Sequence, residues 1–306
     1  MLNGLVDVHC HLVALPVPGN GCFIAEKQLR GPLGRLIARL QGLPVDDPAR
    51  ANALYREKLL ASLAASKRAK QAVLLGLDGV YDGAGRLDEA RTSIVVSSGA
   101  VFEACAASGG RLLPGPSINP RRRDALDELE RCSEGGAALI KFLPNAQGFD
   151  PGAPQLKPFY RRLAELRLPL LSHIGIEFSV GSVDQTVGEP GRLRPALEEG
   201  VTVIAAHGCS AGGGLREPHL PTLLEFAARF PRFFVDLSAM TLPTRAGMLL
   251  RLRRHPEVFD RLLFGTDYPL PVLWPGSNYF DRQAAALEAA GVLPLADAAK
   301  VLRLPA

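Results

Sequence analysis

Residues 168–175 read Leu168-Pro169-Leu170-Leu171-Ser172-His173-Ile174-Gly175, and residues 201–208 read Val201-Thr202-Val203-Ile204-Ala205-Ala206-His207-Gly208. Each is a short apolar run that ends on a histidine, with a glycine close behind. Between them, residues 192–199 carry helical periodicity. A short apolar run, a helix and a second apolar run predict two parallel strands joined by a crossover. The alternation continues in both directions. Further runs at 5–11, 71–77, 111–118, 137–143, 233–237 and 261–265 bring the strands to eight. Helical stretches are expected at 50–68, 122–132, 158–166, 221–229, 245–254 and 282–290. Eight strands alternating with helices predict an α/β fold, a (β/α)8 TIM barrel in a single domain. No Gly-x-Gly-x-x-Gly follows the first run, which argues against an open dinucleotide-binding sheet. Residues 13–49 are too many for an ordinary connection and are expected to form an insertion over the barrel mouth.

The composition excludes several classes of partner. Of 306 residues, 47% are hydrophobic and 22% charged, an ordinary globular balance. Lys and Arg (35) exceed Asp and Glu (31), for a net charge of +4. The basic runs Arg121-Arg122-Arg123, Arg161-Arg162 and Arg251-Leu252-Arg253-Arg254 lie in or beside helical patterns, with no aromatic residues interleaved. They read as solvated helix faces and not as a nucleic-acid surface. The five cysteines (Cys10, Cys22, Cys105, Cys132, Cys209) form no Cys-x-x-Cys pair, and their odd number suits a reducing compartment. No basic leader opens the chain, and no apolar stretch approaches the roughly 18 residues a membrane span needs. A cytoplasmic protein is expected, with a small-molecule substrate and neither nucleic acid nor membrane as partner. A homo-oligomer is left open.

The chemistry gathers at strand ends. Of six histidines, His9, His11, His173 and His207 all sit at or just beyond the ends of predicted strands. Lys141 lies on the fourth run and Asp267 follows the eighth. In a barrel these positions converge on the face where active sites assemble. In Asp7-Val8-His9-Cys10-His11, strand alternation puts Asp7, His9 and His11 on one face and Val8 and Cys10 on the other. If the histidines face inward, two imidazoles can clamp one divalent ion, and Cys10 is a small core residue. His173 and His207 also fit strand-end histidines bonded to backbone carbonyls, and Asp267 also fits a turn aspartate beside Pro269. His219 and His255 lie beside helices and are assigned no role.

Taken as a set, these residues resemble the metal-dependent amidohydrolase superfamily, closest to its amidohydrolase-related branch of TIM-barrel hydrolases and decarboxylases. The matching pieces are Asp7-Val8-His9-Cys10-His11, Ile140-Lys141-Phe142-Leu143-Pro144, Ser172-His173-Ile174-Gly175, Ala206-His207-Gly208 and Gly265-Thr266-Asp267-Tyr268-Pro269. The resemblance implies that His9, His11, His173 and Asp267 bind one divalent metal ion per chain, most often zinc. His207 would sit beside it as an electrophile or as a ligand of a second site. In binuclear members a lysine at the position of Lys141 is carboxylated and bridges two metals. In many mononuclear members it is not, and Lys141 is expected to be an unmodified cation inside the barrel. The chain departs from some decarboxylases, which begin Glu-x-His where this one has His9-Cys10-His11. Residues 297–304 resemble the family's closing helix, without the asparagine it often carries.

The resemblance implies a metal-dependent hydrolase of a small carbonyl-bearing substrate (lactone, ester or amide) that uses a metal-activated water. Asp267 and His207 would be its catalytic residues. A non-hydrolytic decarboxylase of an unsaturated or aromatic acid is the alternative within the same site. A metal-stabilised binding protein without catalysis is the alternative from another class. A decarboxylase must hold a substrate carboxylate, and no arginine falls directly at the end of a predicted strand, although Lys27 or Arg30 could reach down from the insertion. Loops at 78–92, 177–190, 209–218 and 270–279 are expected to shape the pocket, with Trp274 either lining it or covering the rim.

Overall fold

The structure, a computed structural model, describes residues 4–304. Eight parallel strands carry it: β1 (Leu5–His11), β2 (Ala69–Leu75), β3 (Leu112–Gly115), β4 (Ile140–Phe142), β5 (Leu170–Ser172), β6 (Val203–Ala205), β7 (Phe233–Asp236) and β8 (Leu262–Leu263). β1, β2 and β3 are neighbours in that order, and β4 to β8 form a second run of neighbours. Backbone hydrogen bonds cross both seams. Lys141 N–H donates to Pro116 O at 2.9 Å, Val8 N–H to Phe264 O at 3.0 Å and His11 N–H to Tyr268 O at 2.8 Å. The expected TIM barrel is the fold observed.

The ladders are shorter than the apolar runs that announced them. The run 111–118 keeps only Leu112–Gly115, and Pro114 and Pro116 have no N–H to give to a neighbour. The runs 137–143 and 168–174 keep Ile140–Phe142 and Leu170–Ser172. Their last residues, Leu143 and Ile174, are still buried beyond the ladder. An apolar run reports burial, and at these ends the backbone leaves the sheet while the side chains remain covered. β2 is displaced by two residues from the run at 71–77, starting at Ala69.

Helices Pro48–Ala65, Ala125–Glu134, Lys157–Leu166, Arg194–Glu198, Leu220–Arg229, Ala246–Leu252 and Tyr279–Ala290 fall within a few residues of their expected places. Ser98–Ala106 is an additional helix, started by Ser97, whose hydroxyl accepts from Ala100 N–H at 3.1 Å. The side chains sort into two layers by strand alternation. Val73, Leu75, Leu171, Ile204 and Leu263 fill the barrel interior with Val6, Val8 and Leu302. Ala72, Leu74, Leu170, Val203 and Leu262 face the helices.

Within residues 13–49, Phe23–Ile24 pairs antiparallel with Ile94–Val95, and two helices follow, Glu26–Leu29 and Pro32–Gln41. Gln28, Leu33, Leu36 and Ile37 of those helices line the cavity at the barrel mouth. Among the described residues no helix is long and apolar enough to cross a membrane.

Candidate metal centre

The end of β1 departs from simple alternation. The pairing of β1 with β2 shifts register between Asp7 and Cys10, the signature of a bulge that re-aims side chains. Val8 therefore belongs to the barrel interior and Cys10 to the layer under the helices, packed with Tyr55 and Leu59. The expectation that Val8 and Cys10 share a face is corrected. So is the placing of Asp7 with the histidines. Its carboxylate instead accepts from Thr266 Oγ1 at 2.5 Å and Thr266 N–H at 3.1 Å, and from His9 N–H at 2.9 Å. Burial raises the Asp7 carboxyl to about 7 against those hydrogen bonds.

His9, His11 and Asp267 do come together. Nε2 of His9 and of His11 are 3.2 Å apart, and Asp267 Oδ1 lies 3.5 Å from the first and 3.4 Å from the second. Lys141 Nζ reaches His9 Nε2 at 3.3 Å. Asp267 is buried, which would raise its carboxyl, but His9, His11 and Lys141 outweigh burial and hold it well below the usual carboxylate range. It stands at φ 67, in the left-handed region, as does His207 at φ 59. Such non-glycine positions cluster at functional sites.

His173 and His207 form the other half. His207 Nε2 lies 3.1 Å from His173 Nδ1, and His207 Nδ1 lies 2.7 Å from Ser238 Oγ. Ser238 in turn donates to Asp236 Oδ1. Following the protons fixes the tautomers. The Ser238 proton goes to Asp236, so Ser238 accepts from His207 Nδ1–H. His207 Nε2 then accepts from His173 Nδ1–H, and His173 Nε2 is left with a bare lone pair. That nitrogen is buried and without a hydrogen-bond partner. Likewise His9 donates from Nδ1 to Asp236 Oδ2 at 2.8 Å and keeps its lone pair on Nε2. Burial, with the positive charges of Lys141 and Arg245, holds His173 and His207 well below the ordinary imidazole range, so both are neutral.

These donors fit a divalent cation. Metal-ligating imidazoles must be neutral and turn a lone pair to the ion, the other ring nitrogen most often donating to a carboxylate, carbonyl or water; His9 does so to Asp236 Oδ2 at 2.8 Å, and His173 Nδ1 has Glu177 Oε2 at 3.3 Å besides His207. His9, His11 and Asp267 offer atoms all within 4.8 Å of one another, and His173 offers an unpartnered Nε2 outside that set of three. Lys141 is buried as a cation, pushed down to about 8 by burial against the pull of Asp236, Asp267 and Glu177.

The cavity above has a volume of about 420 Å³. His11, Lys141, His173, His207 and Asp267 lie on its lining together with Arg245. No arginine lies at a strand end, as expected, yet one reaches the cavity from elsewhere, Arg245. It opens the helix Ala246–Leu252 and turns its guanidinium inward, onto the carbonyl oxygens of Ile174 (3.2 Å), Ser210 (3.4 Å) and Ile176 (3.3 Å). Lys27, Arg30 and Trp274 are not among the lining residues; Arg30 pairs with Glu26 on the surface. Of the expected loops, 177–180 and 270–271 line the cavity and 78–92 and 209–218 do not; 239–245 takes their place.

Four polar partners escaped the sequence reading. Asp236 and Ser238 end the seventh run with the same polar-after-apolar signal that marked Asp267. Glu177 carries its Oε2 to 3.3 Å from His173 Nδ1, at a spacing of four residues. Arg245 gave no signal, because the direction of a residue at a helix start is set by tertiary packing. His219 Nδ1 meets the Cys209 carbonyl at 3.1 Å and His255 pairs with Glu257 on the surface, so neither belongs to the site.

The family model described as amidohydrolase matches residues 6–306. None of the curated proteins matches the chain in sequence. Among solved structures, an uncharacterized TIM-barrel protein of Bordetella bronchiseptica is similar, with a TM-score of 0.63 at 18% identity, covering 98% of this chain and 95% of its own. A candidate 2-pyrone-4,6-dicarboxylic acid hydrolase of Pseudomonas putida gives 0.60 at 15% identity, over 99% and 98%. A 2,6-dihydroxybenzoate decarboxylase of Rhizobium gives 0.60 at 16% identity, over 99% of both chains. At such identities the likeness is one of fold.

Proposed function

The chain belongs to the amidohydrolase family, matched over residues 6–306, and on that premise we propose that it is a metal-dependent hydrolase of a small carbonyl-bearing substrate, a lactone, ester or amide. His9, His11, His173 and Asp267 would hold the ion, zinc by their mixed imidazole and carboxylate chemistry. Bound there, a zinc ion supplies a Lewis acid for a carbonyl and acidifies water. The observation that carries the reading is the position of Asp267. One of its oxygens faces His9 and His11, and the other lies 3.9 Å from His207 Nδ1.

Asp267 is anionic, so it accepts the proton of the attacking water and returns it to the leaving group. His207 stands beside it to stabilise the oxygen on which charge develops. Both of its ring nitrogens are engaged, so it gives up Ser238 or His173 to do so. Lys141 remains an unmodified cation at the floor. The five free cysteines support a reducing, cytoplasmic setting.

Arg245 favours a second reading, decarboxylation of an unsaturated or aromatic acid, because a buried guanidinium is a carboxylate partner. A panel of lactones, esters, amides and such acids separates the two, with acid release followed against carbon dioxide release. Hydrolysis by wild type, lost by at least about a hundredfold in Asp267→Asn, is the expected result, since an amide cannot take the proton. Metal-dependent carbon dioxide release with no hydrolysis of any member would overturn it in favour of the second reading.

A further inference from the structure

A second cavity, of about 370 Å³, opens at the other end of the barrel. Its size falls within the range of small-molecule sites, about 300–1,000 Å³. Leu168, Thr202 and Arg232, which lead into β5, β6 and β7, line it. It therefore faces the N-terminal ends of the strands, whereas the metal centre stands at the C-terminal ends, where active sites of this fold assemble. Four cations line the cavity, Arg167, Arg232, Lys300 and Arg303, and no carboxylate does. Arg232 donates from Nη1 to Gly200 O at 2.6 Å. A fifth cation, Arg261, stands at the edge: it lies 5.7 Å from the centroid of the Phe234 ring and donates from Nη1 to Pro231 O at 2.7 Å. Among the described residues Arg167, Arg232 and Arg303 have no carboxylate partner.

The backbone singles out the same place. Among the described residues, six that are not glycine have φ in the left-handed region. His207 and Asp267 belong to the metal centre, Cys209 follows His207 by two residues, and Ala239 lines the cavity above the centre. The other two are Arg167 at φ 59 and Arg303 at φ 57, and both line the second cavity. Each stands just beyond a helix, Lys157–Leu166 and Ala298–Val301, where glycine is the favoured residue. An arginine at a helix end has a local explanation when its side chain bonds the last carbonyls. Neither side chain does so, and neither makes an ion pair among the described residues. Strained positions of this kind cluster at ligand clamps.

Several cations around one recess suit a ligand with more than one negative charge. A phosphate monoester carries about 1.5 to 2 charges at neutral pH and three strong acceptor oxygens, which guanidiniums engage in pairs. Phe234 and Val301 add an apolar surface to the lining. We propose that this cavity binds a small organic phosphate, with the phosphate among Arg167, Arg232 and Arg303 and the apolar body against Phe234 and Val301. The site stands apart from the reaction assigned above, and its test needs no turnover.

Phenyl phosphate, phenyl sulfate and inorganic phosphate are titrated by calorimetry into wild type and into His9→Ala/His11→Ala, each with and without Arg167→Gly/Arg303→Gly. In both backgrounds phenyl phosphate is expected to occupy a site that the glycine pair weakens by at least about tenfold, since two of its guanidiniums are removed. Glycine suits the left-handed backbone at both positions, so the fold is kept. Arg232→Gln, at an exposed position, is expected to weaken binding in the same direction. Phenyl sulfate, with one charge, and inorganic phosphate, with no apolar body, are each expected to bind severalfold more weakly. No saturable binding of phenyl phosphate at millimolar concentration, binding that the glycine pair and Arg232→Gln leave unchanged, binding lost in His9→Ala/His11→Ala, or equal affinity for phenyl sulfate or inorganic phosphate would each overturn the proposal. So would cosedimentation with phosphatidate vesicles without binding of phenyl phosphate, which would assign this face to a lipid surface.

Discussion

Asp236 Oδ2 lies 2.8 Å from His9 Nδ1, and both side chains are fully buried. The carboxylate also accepts from Ser238 N–H at 2.9 Å and His207 N–H at 3.1 Å. Burial would raise its carboxyl, but His9 and the donors outweigh burial and keep it below its ordinary value. Asp236 thereby fixes which nitrogen of His9 carries the proton and which faces the cavity.

Asp236→Asn keeps the shape but sets an N–H against the His9 N–H, so the imidazole must turn or change tautomer. Metal affinity, measured by chelator competition, is expected to fall on the order of 10–100-fold with the fold retained, the usual scale for partners of metal-bound histidines. Unchanged affinity would show that Asp236 does not orient His9.

Lys141→Ala tests the state of the floor. With Nζ 3.3 Å from His9 Nε2, the lysine is expected to be unmodified and the ion content to remain about one per chain in wild type and variant alike. Two ions per chain in wild type, lost in the variant and partly restored by a short carboxylic acid, would establish a bridging carbamate instead.

Phe142 is buried on β4, with ring centroids of Phe149, Phe159 and Tyr160 at 4.9, 5.8 and 6.5 Å. Phe142→Ala leaves a cavity in this cluster and is expected to cost about 3–5 kcal/mol in denaturant unfolding. A loss below about 1 kcal/mol would mean that the cluster collapses to fill it.

The barrel was legible in the sequence because each strand buries two faces and so reads as an uninterrupted apolar run, with helical periodicity between. The run 5–11 and the strand β1 share the same bounds. The mouth was less legible. A bulge is invisible to period-two reasoning, which groups Asp7 with His9 and His11 although its carboxylate belongs to Thr266. Of the site, His9, His11 and Asp267 are brought together as the sequence suggested, and His173 stands beside His207. Asp236 and Ser238 could have been found by applying the strand-end criterion to acids and hydroxyls as well as to histidines. Arg245 could not, since the same residue at a helix start points equally well to solvent.

One divalent ion is expected on the strand-end histidines and Asp267. Elemental analysis of protein purified without chelator, for wild type and His9→Ala/His11→Ala, tests it most directly. About one ion per wild-type chain and almost none in the double variant is the expected result, since two of the four proposed ligands are removed. Wild-type metal content in the double variant would contradict it.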